Sequence, residues 1–194
     1  MADTGKRTPA SVLRTYFHAK DENRPHLMAQ VFSETARLET IVKTGAITFP
    51  PVATGLASIT ESLVRKFGQT YENVYSFYLA RPQPRLPANT FSCDWLVGMS
   101  AKRDGGVRVG CGRYDWRFQS EDPCLADRLV ITIEGMQVLA PDCLSRVLGW
   151  LTALPYPWCS AEMILQTAPD IGALTPILTY VGRNDMPLRF RARR

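Results

Sequence analysis

Few side chains in this sequence are placed to move a proton. Tyr16 and His18 share one turn of TPASVLRTYFHAK. A phenol in a dry site can donate to developing oxyanion charge, and an imidazole titrates near neutrality. Two residues apart on a helix, they lie roughly 200° around the axis. If Tyr16 faces inward, His18 faces outward or sideways. Three carboxylates stand in strand-like surroundings. Asp94 lies inside the apolar run SCDWLV, where desolvation would raise its pKa and suit it to proton transfer. The alternative turns Asp94 to solvent or a partner, with Phe91, Cys93, Trp95 and Val97 inward. Asp115 in GRYDWRF has the parity of Arg113 and Arg117, which makes a salt-bridged outer row. Tyr114, Trp116 and Phe118 then share the other face. Glu39 and Thr40 are adjacent in ARLETIVK and alternate, so one side takes one of them.

Other chemistries lack their residues. The five cysteines form no C-x-x-C pair, and His18 and His26 are the two histidines, so no metal site is expected. There is no Gly-rich phosphate loop and no G-x-S-x-G elbow, and no cofactor is expected. Unpaired thiols suit a reducing cytosol, so a cytoplasmic location is expected. The net charge is +5, and much of the excess is RFRARR at the C-terminus. Such a tail can touch nucleic acid, but a solvated terminus is the plainer expectation, and no nucleic-acid partner is expected. MADTGKRTPAS has no apolar h-region, and the longest apolar run, LVITI, is too short for a bilayer. No membrane association is expected.

The elements that must position these groups follow from periodicity. Thr8-Pro9 starts a helix that Val12, Leu13, Tyr16, Phe17 and Lys20 carry to about residue 20. Asp21 or Asn23 caps a second helix with Leu27, Met28, Val31 and Phe32 as its stripe. Residues 36–43 are a strand, and FPPVATG (49–55) is a loop. A third helix carries Leu56, Ile59, Leu63 and Phe67, with Gly68 as its stop. Period two then marks strands at 72–80, 90–103, 106–119 and 126–139, with a hairpin at Asp104-Gly105-Gly106. Pro141-Asp142 opens another helix, a short one falls in YPWCSAEMILQTAPD, and the rest is irregular. Helices gathered before an antiparallel sheet define an α+β fold with the sheet covered on one face.

This order resembles the NTF2-like superfamily, and within it the SnoaL-like and ketosteroid isomerase-like small-pocket proteins. The resemblance rests on YFHAKDENRPHLMAQVFSETARLE, GLASI and GRYDWRF, spread over residues 8–139. It implies a curved antiparallel sheet wrapped around the N-terminal helices into a cone, with residues 140–194 as a helical or irregular extension packed on the same domain. It also implies a small apolar or aromatic ligand and a homodimer through the sheet. By the same resemblance Tyr16 is a hydrogen-bond donor to a substrate oxygen, and the isomerase-like base falls at Thr40, which cannot serve as one. Asp94, Glu39 and His18 remain as proton carriers, and Tyr16, Thr40, Tyr114, Trp116 and Phe118 as ligand-binding residues. A cofactor-independent lyase or isomerase and a non-catalytic dimeric scaffold both stay open.

Overall fold

The computed structural model describes residues 7–120 and 122–183. The RFRARR tail lies outside the described residues. Helix α1 (Pro9–Asp21) starts where Thr8 accepts from the Ser11 N–H and Ser11 Oγ accepts from the Thr8 N–H, a capping box in front of Pro9. The second helix expected at Pro25 is a short 3-10 turn, Pro25–Gln30. Phe32 leaves it to begin β1 (Phe32–Val42), a longer strand than the alternation at 36–43 suggested. The segment expected as a loop contains β2 (Val52–Thr54), paired antiparallel with β1.

Helix α2 (Leu56–Thr60) runs through a π-helical stretch, Glu61–Lys66, into α3 (Phe67–Thr70). The extra residue per turn lets Ser62, Leu63 and Val64 all be buried. Gly68 does not stop this helix. A Cβ there would lie 2.8 Å from Asn23 Cγ, so glycine allows the close approach of the α1–β1 connection.

The sheet is completed by β3 (Tyr71–Tyr78), β4 (Thr90–Ala101), β5 (Val107–Phe118) and β6 (Ala126–Leu139). Its order is β2-β1-β6-β5-β4-β3, and it is curved and unclosed. One pair departs from the antiparallel expectation: β1 and β6 run parallel, with Thr40 opposite Ile131. The α+β arrangement is otherwise as the periodicity required, and its curvature is the cone that the resemblance implied. Its concave face holds Tyr16, Phe17, Phe32, Trp95, Tyr114 and Trp116 in one apolar cluster with the first helices.

A second cluster lies on the convex face. Phe77, Leu96, Val109 and Cys111 pack there against α4 (Leu144–Ala153), α5 (Ala161–Thr167) and α6 (Thr175–Gly182). The last helix falls where an irregular tail was expected. Gly98 admits α4, because a Cβ at Gly98 would sit 2.1 Å from Leu151 Cδ1. The open edge of β3 is also covered: the Tyr78 N–H donates to Pro157 O, and the Cys159 N–H donates to Tyr78 O. So the chain's own helices occupy the convex face of β3–β6, the surface through which the resemblance implied a dimer. Among the described residues no helix is long and apolar enough to cross a membrane. Cys93, Cys111 and Cys159 are buried free thiols, and Cys124 and Cys143 are half-buried.

Candidate functional site

Alternation along the strands sorts the candidate residues. Thr40, Ile131, Tyr114 and Cys93 form one cross-sheet row on the concave side. Trp95 follows two residues along β4, opposite Gly112. Helix α1 crosses this face and presents Tyr16. Together they border a cavity of about 50 Å³, closed by Ile47 and Phe49 from the β1–β2 loop and by Phe67. A surface cleft of about 360 Å³ shares those last three side chains. Beside the cavity the concave face is filled: the Trp116 ring packs on Tyr16 (5.1 Å), Phe32 (5.7 Å) and Phe118 (6.0 Å). Trp116 and Phe118, expected as ligand contacts, are core and do not border the cavity.

The polar groups at the cavity are mostly donors. Tyr16 is fully buried, and its hydroxyl has no fully aligned partner. The Tyr114 hydroxyl lies beside it, close enough to influence its ionisation. Burial first pushes both phenols above the usual tyrosine value, with Asp21 adding at Tyr16 and with Tyr16 and then Asp21 adding at Tyr114, so both are neutral donors. Thr40 Oγ1 and Trp95 Nε1 are likewise buried without a partner. Native interiors leave few such atoms unsatisfied.

Lys20 also borders the cavity, and sequence reasoning did not single it out. Its position four after Tyr16 was the available signal, since i and i+4 share a helix face. The ammonium donates to Asp21 Oδ1 (2.6 Å) and Ser76 Oγ (2.8 Å) and lies 4.9 Å from the Phe67 ring centroid. Asp21, expected as a helix cap, instead accepts from Lys20, from the Ser76 N–H and hydroxyl, and from the Tyr156 hydroxyl.

The three expected proton carriers stand elsewhere. Asp94 has the parity of Leu96 and lies under α6, accepting from the Tyr180 hydroxyl (3.1 Å). Burial raises its pKa, with Tyr180 and Arg113 opposing. Glu39 is on the convex face between Arg37 and Arg128, whose hydrogen bonds, that of Arg128 above all, hold its pKa low. His18 points away from the cavity and pairs with Glu22 at 2.7 Å. Asp115 joins Ser92 and Arg113 in the outer row that its parity required. Among the described residues no cluster of three or more His, Cys, Asp or Glu could hold a metal.

A curved sheet over helices, with an apolar hollow between them, is the NTF2-like fold. Solved structures agree. The chain is similar to an NTF2-like superfamily protein from Salmonella enterica serovar Typhimurium LT2 (TM-score 0.53, 15% identity, 65% of this chain and 88% of that one). It is similar to the hexachlorocyclohexane dehydrochlorinase LinA-type3 from Novosphingobium barchaimii LL02 (0.52, 9%, 66% and 86%). It is also similar to a protein with a ketosteroid isomerase-like fold from Catenulispora acidiphila, solved with trimethylamine (0.50, 14%, 64% and 85%). No protein-family model matches the sequence, and no curated protein is similar to it in sequence. At these identities the likeness establishes the fold.

Proposed function

We propose that the protein binds a small molecule in the cone cavity, held by apolar walls and by Tyr16, Thr40, Trp95 and Tyr114. One observation carries this reading: two buried polar atoms, Thr40 Oγ1 and Trp95 Nε1, lack protein partners around one hollow, where the Tyr16 hydroxyl meets only that of Tyr114. Each such atom forfeits hydrogen bonds that water supplied in the unfolded chain. A ligand restores them. The Catenulispora protein of this fold holds a compact amine, a precedent for a small occupant.

The chemistry that fits is a cofactor-independent isomerisation or elimination. Neutral phenols stabilise negative charge developing on a substrate oxygen. Lys20 is the ionisable cavity-lining group besides the phenols; as an ammonium held by Asp21 it can give a proton but not take one. In this reading it therefore replaces Asp94, Glu39 and His18 only as the proton donor, and the proton removed from the substrate goes to a base that the substrate or solvent brings. The second reading, a non-catalytic protein whose extension matters more than its cavity, is favoured by the small volume and by the lack of a carboxylate or imidazole among the lining residues. A sheet-to-sheet homodimer would use the convex face left free by α4–α6, where Arg37, Arg128 and Glu39 lie.

Thermal-shift screening of wild type against Tyr16→Phe and Thr40→Val tests the binding reading. Ligands that raise the melting temperature of wild type should do so much less in both variants. Equal shifts in all three proteins would place the ligand elsewhere and end this reading.

A further inference from the structure

Trp95 brings together the two properties that decide what the cavity accepts. Its register partner is Gly112. A Cβ at Gly112 would lie 2.7 Å from Trp95 Cζ2 and 2.9 Å from Cε2. Only the missing side chain lets the indole lie against the sheet there, tilted 29° to the Tyr114 ring at 5.5 Å. The bulk of that ring occupies concave space that would otherwise belong to the hollow. What remains, about 50 Å³, is well below the ~150 Å³ of a protein cavity that holds benzene.

The second property is polarity. An indole N–H can only donate, and that of Trp95 has no acceptor in the protein. The Thr40 hydroxyl is also unpartnered, and the Tyr16 hydroxyl meets only that of Tyr114. What completes such a site is an acceptor atom on the ligand. Its charge follows from the neighbours. Lys20 is already neutralised by Asp21, and the field of Asp21 reaches both phenols. An anion entering would lose its hydration and meet no uncompensated positive charge.

We propose that Trp95 is the specificity-determining residue of this site. It limits the ligand to a compact neutral molecule smaller than a benzene ring and supplies the N–H that reads a carbonyl-type acceptor on it. This rests on the ligand-binding reading above and narrows it, excluding ligands of steroid or polyketide size from the cavity.

The test follows the indole N–H resonances of protein labelled with ¹⁵N-tryptophan, Trp95 being assigned by its disappearance in Trp95→Phe. Acetone, isobutene, acetate, cyclohexanone and benzaldehyde are titrated. In wild type, acetone should move the Trp95 resonance, in the weak range that so few atoms allow. Isobutene, which has the same shape without the acceptor, and acetate should bind at least tenfold more weakly. Cyclohexanone and benzaldehyde should leave the resonance in place. Trp95→Leu should admit the two larger ketone and aldehyde probes, read as a melting-temperature shift. Trp95→Phe, read by the same melting-temperature shift, should keep the size limit and lose about tenfold in acetone affinity. Benzaldehyde entering the wild-type cavity, or an unchanged size limit in Trp95→Leu, would refute the assignment while leaving ligand binding intact. Acetate binding more tightly than acetone would refute the neutral-ligand part. No response to any probe in wild type or either variant would remove the binding reading itself.

Discussion

Replacing Asp21 with asparagine isolates the buried ion pair behind the cavity. The Lys20 and Asp21 side chains are 7% and 3% exposed, so solvent screens them little. The carboxylate accepts four hydrogen bonds, three of them from 2.6 to 2.9 Å. Asparagine keeps an acceptor for the Ser76 N–H but removes the charge. The ammonium is then left with Ser76 Oγ and the faces of Phe17 and Phe67. Breaking a buried pair by removing one member costs about 3–5 kcal/mol, because the other charge stays desolvated. For a chain of this size, about 2–4 °C per kcal/mol converts that to a fall of roughly 6–20 °C in Tm. Lys20→Met should cost less, since the remaining carboxylate keeps its Ser76 and Tyr156 donors. The double variant should cost clearly less than the sum, the signature of direct coupling. Urea and thermal unfolding of the four proteins at one pH measure all of this. A loss under about 1 kcal/mol for Asp21→Asn, together with strict additivity in the double variant, would show that the pair is not a buried charge pair. Lys20 would then not reach the cavity already neutralised.

Three more outcomes are expected. Gly112→Ala should destabilise more than Gly98→Ala, because its Cβ would meet the Thr132 backbone oxygen at 1.9 Å, whereas at Gly98 the obstacle is the end of the Leu151 side chain; urea midpoints compare them, and the opposite ranking would contradict the packing described. Asp94→Asn should gain on wild type as pH rises from about 4 to 7. A carboxyl raised above its ordinary value by burial stabilises the fold most below the unfolded pKa and loses that contribution as pH rises through the native one; a pH-independent difference in unfolding free energy would show that Asp94 is not desolvated. Tyr16→Phe should change unliganded stability by less than ~1 kcal/mol, since the buried hydroxyl it removes meets only that of Tyr114; a loss above ~1 kcal/mol would mean that the hydroxyl is already satisfied.

The parts of the fold that sequence periodicity revealed are those whose stability is local. Strands β4 to β6 alternate over long stretches, and β4 and β5 are joined by Asp104-Gly105-Gly106, with Gly105 at φ 69°, so turn chemistry and pattern agree there. What stayed hidden depends on distant partners. Strand β2 is three residues beside Pro50-Pro51 and exists because β1 pairs with it. The parallel pairing of β1 with β6 joins segments about ninety residues apart, as Thr40 and Ile131 do, and no local signal encodes it. Helix α6 is eight residues long and is held by Ile177 and Val181 against the convex face rather than by its own propensity. At the site, strand parity separated Tyr114 and Thr40 from Asp115 and Glu39. It could not show that Asp94 would find a second, helix-covered interior, because a charged residue with buried neighbours on both faces needs a layer that the alternation does not reveal.

That second layer bears directly on the cavity. A strongly curved sheet presents a convex face whose apolar residues need a cover, and Leu96, Val109 and Cys111 receive theirs from helices of the same chain. The cover is not passive. The segment between α4 and α5 pairs with the edge of β3 through Tyr78 and sends Tyr156 across to Asp21. Asp21 in turn holds Lys20, and Lys20 borders the hollow. Tyr78 closes the same circuit from inside, stacked on Phe17 at 3.9 Å and donating its hydroxyl to Leu13 O in α1. The extension therefore fixes the helix that carries Tyr16, the strand edge beside it and the counter-ion of the cavity's one ammonium, through contacts formed outside the cavity.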